Sequence, residues 1–177
     1  SQDNAFSSDL SAFTRWTGVM NRYRAAANDS MNARWRRSVM ALAGQPFGQM
    51  LRQVNEMMNA RPYITDARLW RQSDYWATPA EFMTHGGDCE DFALAKYLAL
   101  RALGVPESMM RVVIVHDRFL NIPHAVLLVR SPSGVKLLDN QIKAVKRAED
   151  VHRYAPIYSI NHNGWWLHQS PQRARAA

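Results

Sequence analysis

The apolar period of this chain changes once, at Leu103-Gly104-Val105-Pro106, and that switch limits the folds open to it. Before it, apolar residues recur at helical spacing. Leu10, Phe13, Trp16, Val19, Met20 and Tyr23 line one stretch; Phe92, Ala95, Ala99 and Ala102 line another. Aromatic and methionine stripes of this kind are core far more often than a cofactor box. Residues 9–59 read as two or three helices, followed by a turn-rich stretch that runs to Trp76. Thr78-Pro79-Ala80-Glu81 then supplies a hydroxyl cap, a first-position proline and a third-position glutamate, which start a short helix ended by Gly86-Gly87. A longer helix is predicted from Asp88 to about Leu103. Beyond the switch come β-branched and leucine-rich runs at 111–115, 125–129 and 135–139, with further strands at 154–160 and 165–167. Helices first and an antiparallel sheet afterwards give an α+β fold.

At 177 residues, 47 % of them apolar, the chain is expected to form a single domain, 1–177, with a disordered tail from about residue 170. It has no internal repeat and no credible linker. No apolar run approaches the roughly eighteen residues that span a bilayer. The start, Ser1-Gln2-Asp3-Asn4, has neither the basic nor the apolar region of a signal peptide. Either the protein is cytosolic or a signal peptide has been removed, and the residues leave that open. The net charge of +7 invites a nucleic-acid reading. The basic residues are scattered, however (Arg15, Arg22, Arg24, Arg34, Arg36, Arg37, Arg52, and Arg173 and Arg175 in the tail), and no nucleic-acid motif accompanies them. They read mainly as solvated surface, suited at most to an acidic partner or substrate segment.

The one cysteine rules out an internal disulfide and stands in Gly86-Gly87-Asp88-Cys89-Glu90-Asp91. Asp88 is a good N-cap, which puts Cys89 in the first helical turn, where exposed amides and the helix dipole favour thiolate and form a natural oxyanion hole. The two glycines let the backbone turn sharply and a substrate come close. His124 opens an apolar strand and Asp139 closes the next. If Ser131-Pro132-Ser133-Gly134 closes a tight hairpin, Arg130 faces Val135 and Val126 faces Asp139. His124 and Asp139 then share a sheet face, one diagonal step apart, roughly 7–8 Å between backbones. A one-residue slip would part them. The roles would be Cys89 as nucleophile, His124 as general base then acid, and Asp139 orienting the ring. His85, His116, His152, His162 and His168 have no carboxylate placed by a comparable argument.

Asp88, Glu90 and Asp91 set three negative charges beside a thiol that must ionise, which works against catalysis. The plain reading is complementation of the helix N-terminus. The sharper one is a bound divalent cation, with oxygen ligands suited to calcium.

These residues give the chain a resemblance to the bacterial transglutaminase-like cysteine proteinases. It runs from about residue 55 to 166 and includes Arg61-Pro62-Tyr63, Asp74-Tyr75-Trp76-Ala77-Thr78-Pro79, the Gly86 to Asp91 segment running into Ala95-Lys96-Tyr97, and Leu103-Gly104-Val105-Pro106. His124-Ala125-Val126-Leu127, Leu138-Asp139-Asn140 and Tyr158-Ser159-Ile160-Asn161 complete it. The resemblance implies a papain/transglutaminase-like fold, a Cys89-His124-Asp139 triad and calcium dependence, with ligands carried over to Asp88 and Glu90 and with Asp91 as an addition. It also implies a periplasmic endopeptidase, its signal peptide removed, that cuts a large surface adhesin near the adhesin's N-terminus, at a pair of alanines, and so releases biofilm cells. An inner-membrane cyclic di-GMP receptor would hold such an enzyme inactive. Two further readings of the same residues stay open: a transglutaminase or amidase in which an amine resolves the thioester, and a catalytically silent module that grips an adhesin or receptor.

Overall fold

The computed structural model describes residues 5–72 and 74–168, so the expected disorder of the tail lies outside the described residues. After a short strand at residues 5–7 come three helices: α1 (Thr14–Ala25), α2 (Ser30–Met40) and α3 (Phe47–Asn59). Asp29 caps α2 by accepting from the Met31 amide at 2.8 Å. The buried residues of α1 are Trp16, Val19 and Met20, a spacing that lays one stripe against the core.

The stretch read as turns holds a five-residue helix, α4 (Asp66–Trp70), too short to leave an apolar period in the sequence. The helix α5 (Pro79–His85) has the predicted capping box: Glu81 N donates to Thr78 Oγ1, and Thr78 N donates to Glu81 Oε1. Arg22, read as solvated surface, is in fact half-buried and ties α1 to that cap. Its guanidinium donates to Glu81 Oε1 at 3.0 Å and to the Trp76 carbonyl at 2.6 Å, and it also reaches the Tyr75 hydroxyl. The long helix α6 (Cys89–Ala102) is buried along nearly its whole length, so it forms the centre of the helical layer.

Seven antiparallel strands follow or flank the helices: β1 (Ala5–Ser7), β2 (Met110–Asp117), β3 (Ile122–Ser131), β4 (Gly134–Leu138), β5 (Lys146–Arg147), β6 (Tyr154–Asn161) and β7 (Gly164–Leu167), in the order β1-β7-β6-β2-β3-β4-β5. Two of them, β1 and β5, carry no readable alternation at three and two residues. The β3–β4 hairpin pairs Ser131 with Gly134 and Arg130 with Val135, the register that the turn residues predict. Alternation then sorts the sheet. Ala125, Leu127, Val129 and Leu138 join the main core, which α6 also fills. Val126, Leu137 and Tyr154 join Val113 and Val115 in a second cluster. His124 and Asp139 continue the Val126 and Leu137 face, on the side of Tyr154.

Candidate active site

The loop ahead of α6 is shaped by contacts that leave no room for a side chain. Gly86, at φ +78°, ends α5, and a Cβ there would lie 2.2 Å from the Pro62 carbonyl oxygen. A Cβ on Gly87 would lie 2.3 Å from Asp91 Oδ2. The segment Pro62-Tyr63-Ile64 runs beside them: Gly87 N donates to the Pro62 carbonyl and Ile64 N to the Gly87 carbonyl. The glycines thus serve close packing of the loop on Pro62 and Asp91, a reason the sequence did not reveal. Gly87→Ala is expected to lose at least about 2 kcal/mol of stability, the scale of forced overpacking, and to displace the Asp91 carboxylate. Thermal unfolding of the variant beside the unaltered protein measures the loss.

Asp91 is fully buried and locks the helix start. Its Oδ1 accepts from Ala77 N at 2.8 Å and its Oδ2 from Asp88 N at 3.0 Å. Cys89 follows as the first residue of α6, so its thiol is fixed by a rigid helix end. Burial first, then the charge and hydrogen bond of Glu90 and the charge of Asp88, push that thiol well above its ordinary pKa. The backbone amide of Ala125, on β3, works in the opposite sense and lies at the thiol. The thiol hydrogen goes to Glu90 Oε2 at 3.2 Å rather than to His124.

His124 is 3 % exposed, and its Nε2 lies 2.7 Å from Asp139 Oδ1. With Asp139 ionised, Nε2 carries the hydrogen that it donates there, which leaves the Nδ1 lone pair free. Burial pushes the Asp139 carboxyl up, but His124, the Tyr154 hydroxyl and the Gln141 amide together hold it below the usual carboxylate value. Tyr154 donates to Asp139 Oδ2, and its ring packs 5.3 Å from the His124 ring. Tyr154 went unnoticed in the sequence because an aromatic inside an apolar strand reads as core. Asn59, on α3, donates to the Asp139 carbonyl at 2.9 Å and anchors the backbone there. The structure therefore joins His124 to Asp139 and sets Cys89 beside the next residue of the His124 strand. Of the remaining histidines, His162 lies 3.4 Å from Arg101, His168 lies 2.9 Å from Ser159, and His85 meets the Trp70 ring edge-on.

The acidic cluster has a different third corner from the one read in the sequence. Asp66, on α4, comes together with Asp88 and Asp91, one carboxylate oxygen of each lying within 4.8 Å of the others, while Glu90 turns to the thiol. Asp66 and Asp88 each keep a buried Oδ1 with no hydrogen-bond partner among the described residues. Burial, foremost, pushes all three carboxyls up; Glu90 adds to the rise at Asp88 and Asp66, and the charge of Asp66 adds to it at Asp88 and Asp91. An all-oxygen donor set, orphaned buried oxygens and this spacing fit a calcium ion, whose ligands at 2.3–2.6 Å lie no more than about 5 Å apart. Asp66 escaped the sequence reading because it is distant in sequence and no local pattern marks it.

The family model described as bacterial transglutaminase-like cysteine proteinase matches residues 16–174. The chain belongs to that family. The match covers the N-terminal helices as well, a wider span than the motifs alone suggested. Among solved structures the chain is similar to Legionella pneumophila LapG. The EGTA-treated form shares 32 % identity and a TM-score of 0.69, over 86 % of each chain. The calcium-bound form shares 31 % identity and the same TM-score, over 87 % of this chain and 88 % of that one. No curated protein matches the chain. As a bacterial transglutaminase-like cysteine proteinase with a LapG-like fold, the protein is a cysteine peptidase, and no helix among the described residues is long and apolar enough to cross a membrane.

Proposed function

We propose that the protein is a calcium-dependent periplasmic endopeptidase that works through Cys89, His124 and Asp139. The observation that carries this reading is the buried His124–Asp139 pair at 2.7 Å, set in a strand whose next amide meets the only thiol. His124 Nδ1 takes the proton from Cys89 Sγ, and the thiolate attacks the scissile carbonyl. The C–N bond breaks as His124 returns its proton to the leaving amine, giving a thioester on Cys89. Water then attacks the thioester while Nδ1 accepts its proton, and the carboxylate product leaves as the proton returns to the thiolate. Asp139 accepts from Nε2–H throughout and stabilises the transient imidazolium. Amides of the first turn of α6, that of Cys89 among them, face the oxyanion position.

Asp66, Asp88 and Asp91 would hold the calcium ion, which would supply the positive charge that lets a thiol in this acidic setting ionise. Glu90, the other ligand the resemblance implies, sits within the same charge field. Asp66→Asn is expected to weaken calcium binding at least about tenfold, a scale that even outer-shell partners of a metal reach. Titration calorimetry measures it; unchanged affinity would move the ion elsewhere.

The substrate reading rests on the family resemblance: the N-terminal region of a large surface adhesin, whose cleavage releases biofilm cells, with an inner-membrane cyclic di-GMP receptor sequestering the protease. The test is incubation with an adhesin N-terminal fragment from the same genome, in calcium or in chelator, with an added primary amine. Two peptide fragments that require calcium support the endopeptidase. Incorporation of the amine would show acyl transfer, and an intact but bound fragment would show a binding module.

A further inference from the structure

Two of the arginines that looked scattered along the chain, Arg24 and Arg36, come together with a third, Arg101. Arg24 from α1, Arg36 from α2 and Arg101 from the end of α6 line a cleft of about 360 Å³, together with Tyr23, Leu98 and His162 of the β6–β7 turn. That volume is on the scale of small-ligand sites. Arg101 lies twelve residues along α6 from Cys89, so the cleft is roughly 18 Å from the thiol and separate from the active site. Among the described residues, only Glu107 balances the charge: its Oε2 lies 3.5 Å from Arg101 Nε. Arg24 donates to the neutral Asn21 side chain, and no carboxylate among the described residues pairs with Arg24 or Arg36. Three guanidiniums against one carboxylate leave a surplus of about two positive charges. The neighbouring groups register that surplus. Behind burial, the charges of Arg101 and Arg24 press the His162 imidazole below its ordinary pKa; burial pushes the Tyr23 hydroxyl up, and Arg36 and Arg101 oppose that rise.

We propose that this cleft binds a small dianion, a phosphate monoester or a short dicarboxylate, gripped by the guanidinium forks of Arg24, Arg36 and Arg101 with its carbon portion against Leu98 and Tyr23. Planar guanidiniums match both oxyanions, since each offers paired N–H donors to two oxygens. Leu98 and the Tyr23 ring provide the apolar wall that a bare ion would not need. The site stands independently of the peptidase reading, because no group in it touches the triad or the acidic cluster.

The test is calorimetric titration of the full chain with inorganic phosphate, with malonate, and with chloride at matched ionic strength. A parallel NMR titration follows the His162 ring across pH. One-to-one binding of phosphate or malonate beyond chloride is expected, with His162 titrating at higher pH in the complex because a bound dianion offsets its arginine neighbours. Arg36→Gln and Arg101→Gln should each weaken binding about tenfold or more, the loss of a charge-assisted hydrogen bond. Both side chains are exposed, so both variants should fold and keep their peptidase activity. Binding of phosphate alone would assign a phosphate monoester, and of malonate alone a dicarboxylate. Binding no better than chloride, or equal affinity in both variants, would overturn the proposal.

Discussion

Cys89→Ala is expected to lower peptide hydrolysis by at least about 10⁴-fold while leaving the fold and substrate binding intact, as measured by single-turnover cleavage and by circular dichroism. Cys89 is partly buried at the first position of α6, and neither of the two hydrogen bonds that lock the helix start, both to Asp91, uses its side chain. Removing one sulfur atom therefore deletes the nucleophile and little else. His124→Ala should fall in the same range, because without the imidazole nothing at the thiol accepts its proton productively. Combining the two substitutions should add almost nothing, since groups that act as a unit are not additive. Asp139→Asn should retain the geometry yet still lose on the order of 10²–10⁴-fold, through the wrong imidazole tautomer. A Cys89→Ala protein that still cleaves would remove the thiol from the mechanism.

The second large effect concerns stability. Lys96 lies in the middle of α6, 0 % exposed, with no hydrogen-bond partner for its Nζ among the described residues. Burial drives its pKa down to about 7, against a partial upward pull from Asp139. An unfolded chain restores the ordinary lysine value, so between about pH 7 and pH 10.5 the unfolded state binds more protons than the folded one, and stability rises with pH. Below about 7 both states are charged and the full penalty applies. The drop from 10.5 to about 7 corresponds to roughly 5 kcal/mol as an upper bound. Lys96→Met, similar in shape and apolar, is expected to stabilise the protein by several kcal/mol near neutral pH and to flatten that rise. Urea unfolding of both proteins across this pH range measures it. Equal or lower stability in the variant would mean that the Lys96 charge is satisfied by more than Asp139.

A destabilising buried lysine beside the triad aspartate also bears on function. Its charge, where present, favours ionised Asp139 and hence the Nε2–H tautomer of His124. Lys96→Met is thus expected to trade stability against activity, as sites held under strain do.

The legible parts of this fold are those where local chemistry dictates geometry. Thr78, Pro79 and Glu81 announced their helix, and the structure forms the capping box they promised. Ser131 to Gly134 fixed the hairpin register, and through it the meeting of His124 with Asp139. What stayed hidden depends on partners distant in sequence. The strand β1 exists because β7 offers it an edge, where Phe6 packs 4.9 Å from Trp166, and three residues show no alternation alone. Asp66 and Tyr154 sit in segments whose patterns read as turn and core. The role of Gly87 needs Asp91 folded back over it, and the arginine cleft needs α1, α2 and α6 side by side.

The ionisation of Cys89 links the triad to the acidic cluster and can be read directly. The measurement is the rate of alkylation of Cys89 against pH, in calcium and in chelator, with the intact chain and with Asp66→Asn. The expected result is a thiol that titrates well below about 8.5 in calcium and moves upward in chelator or in the variant. A value near 8.5 in every condition would contradict both the cation's electrostatic role and the activation of Cys89.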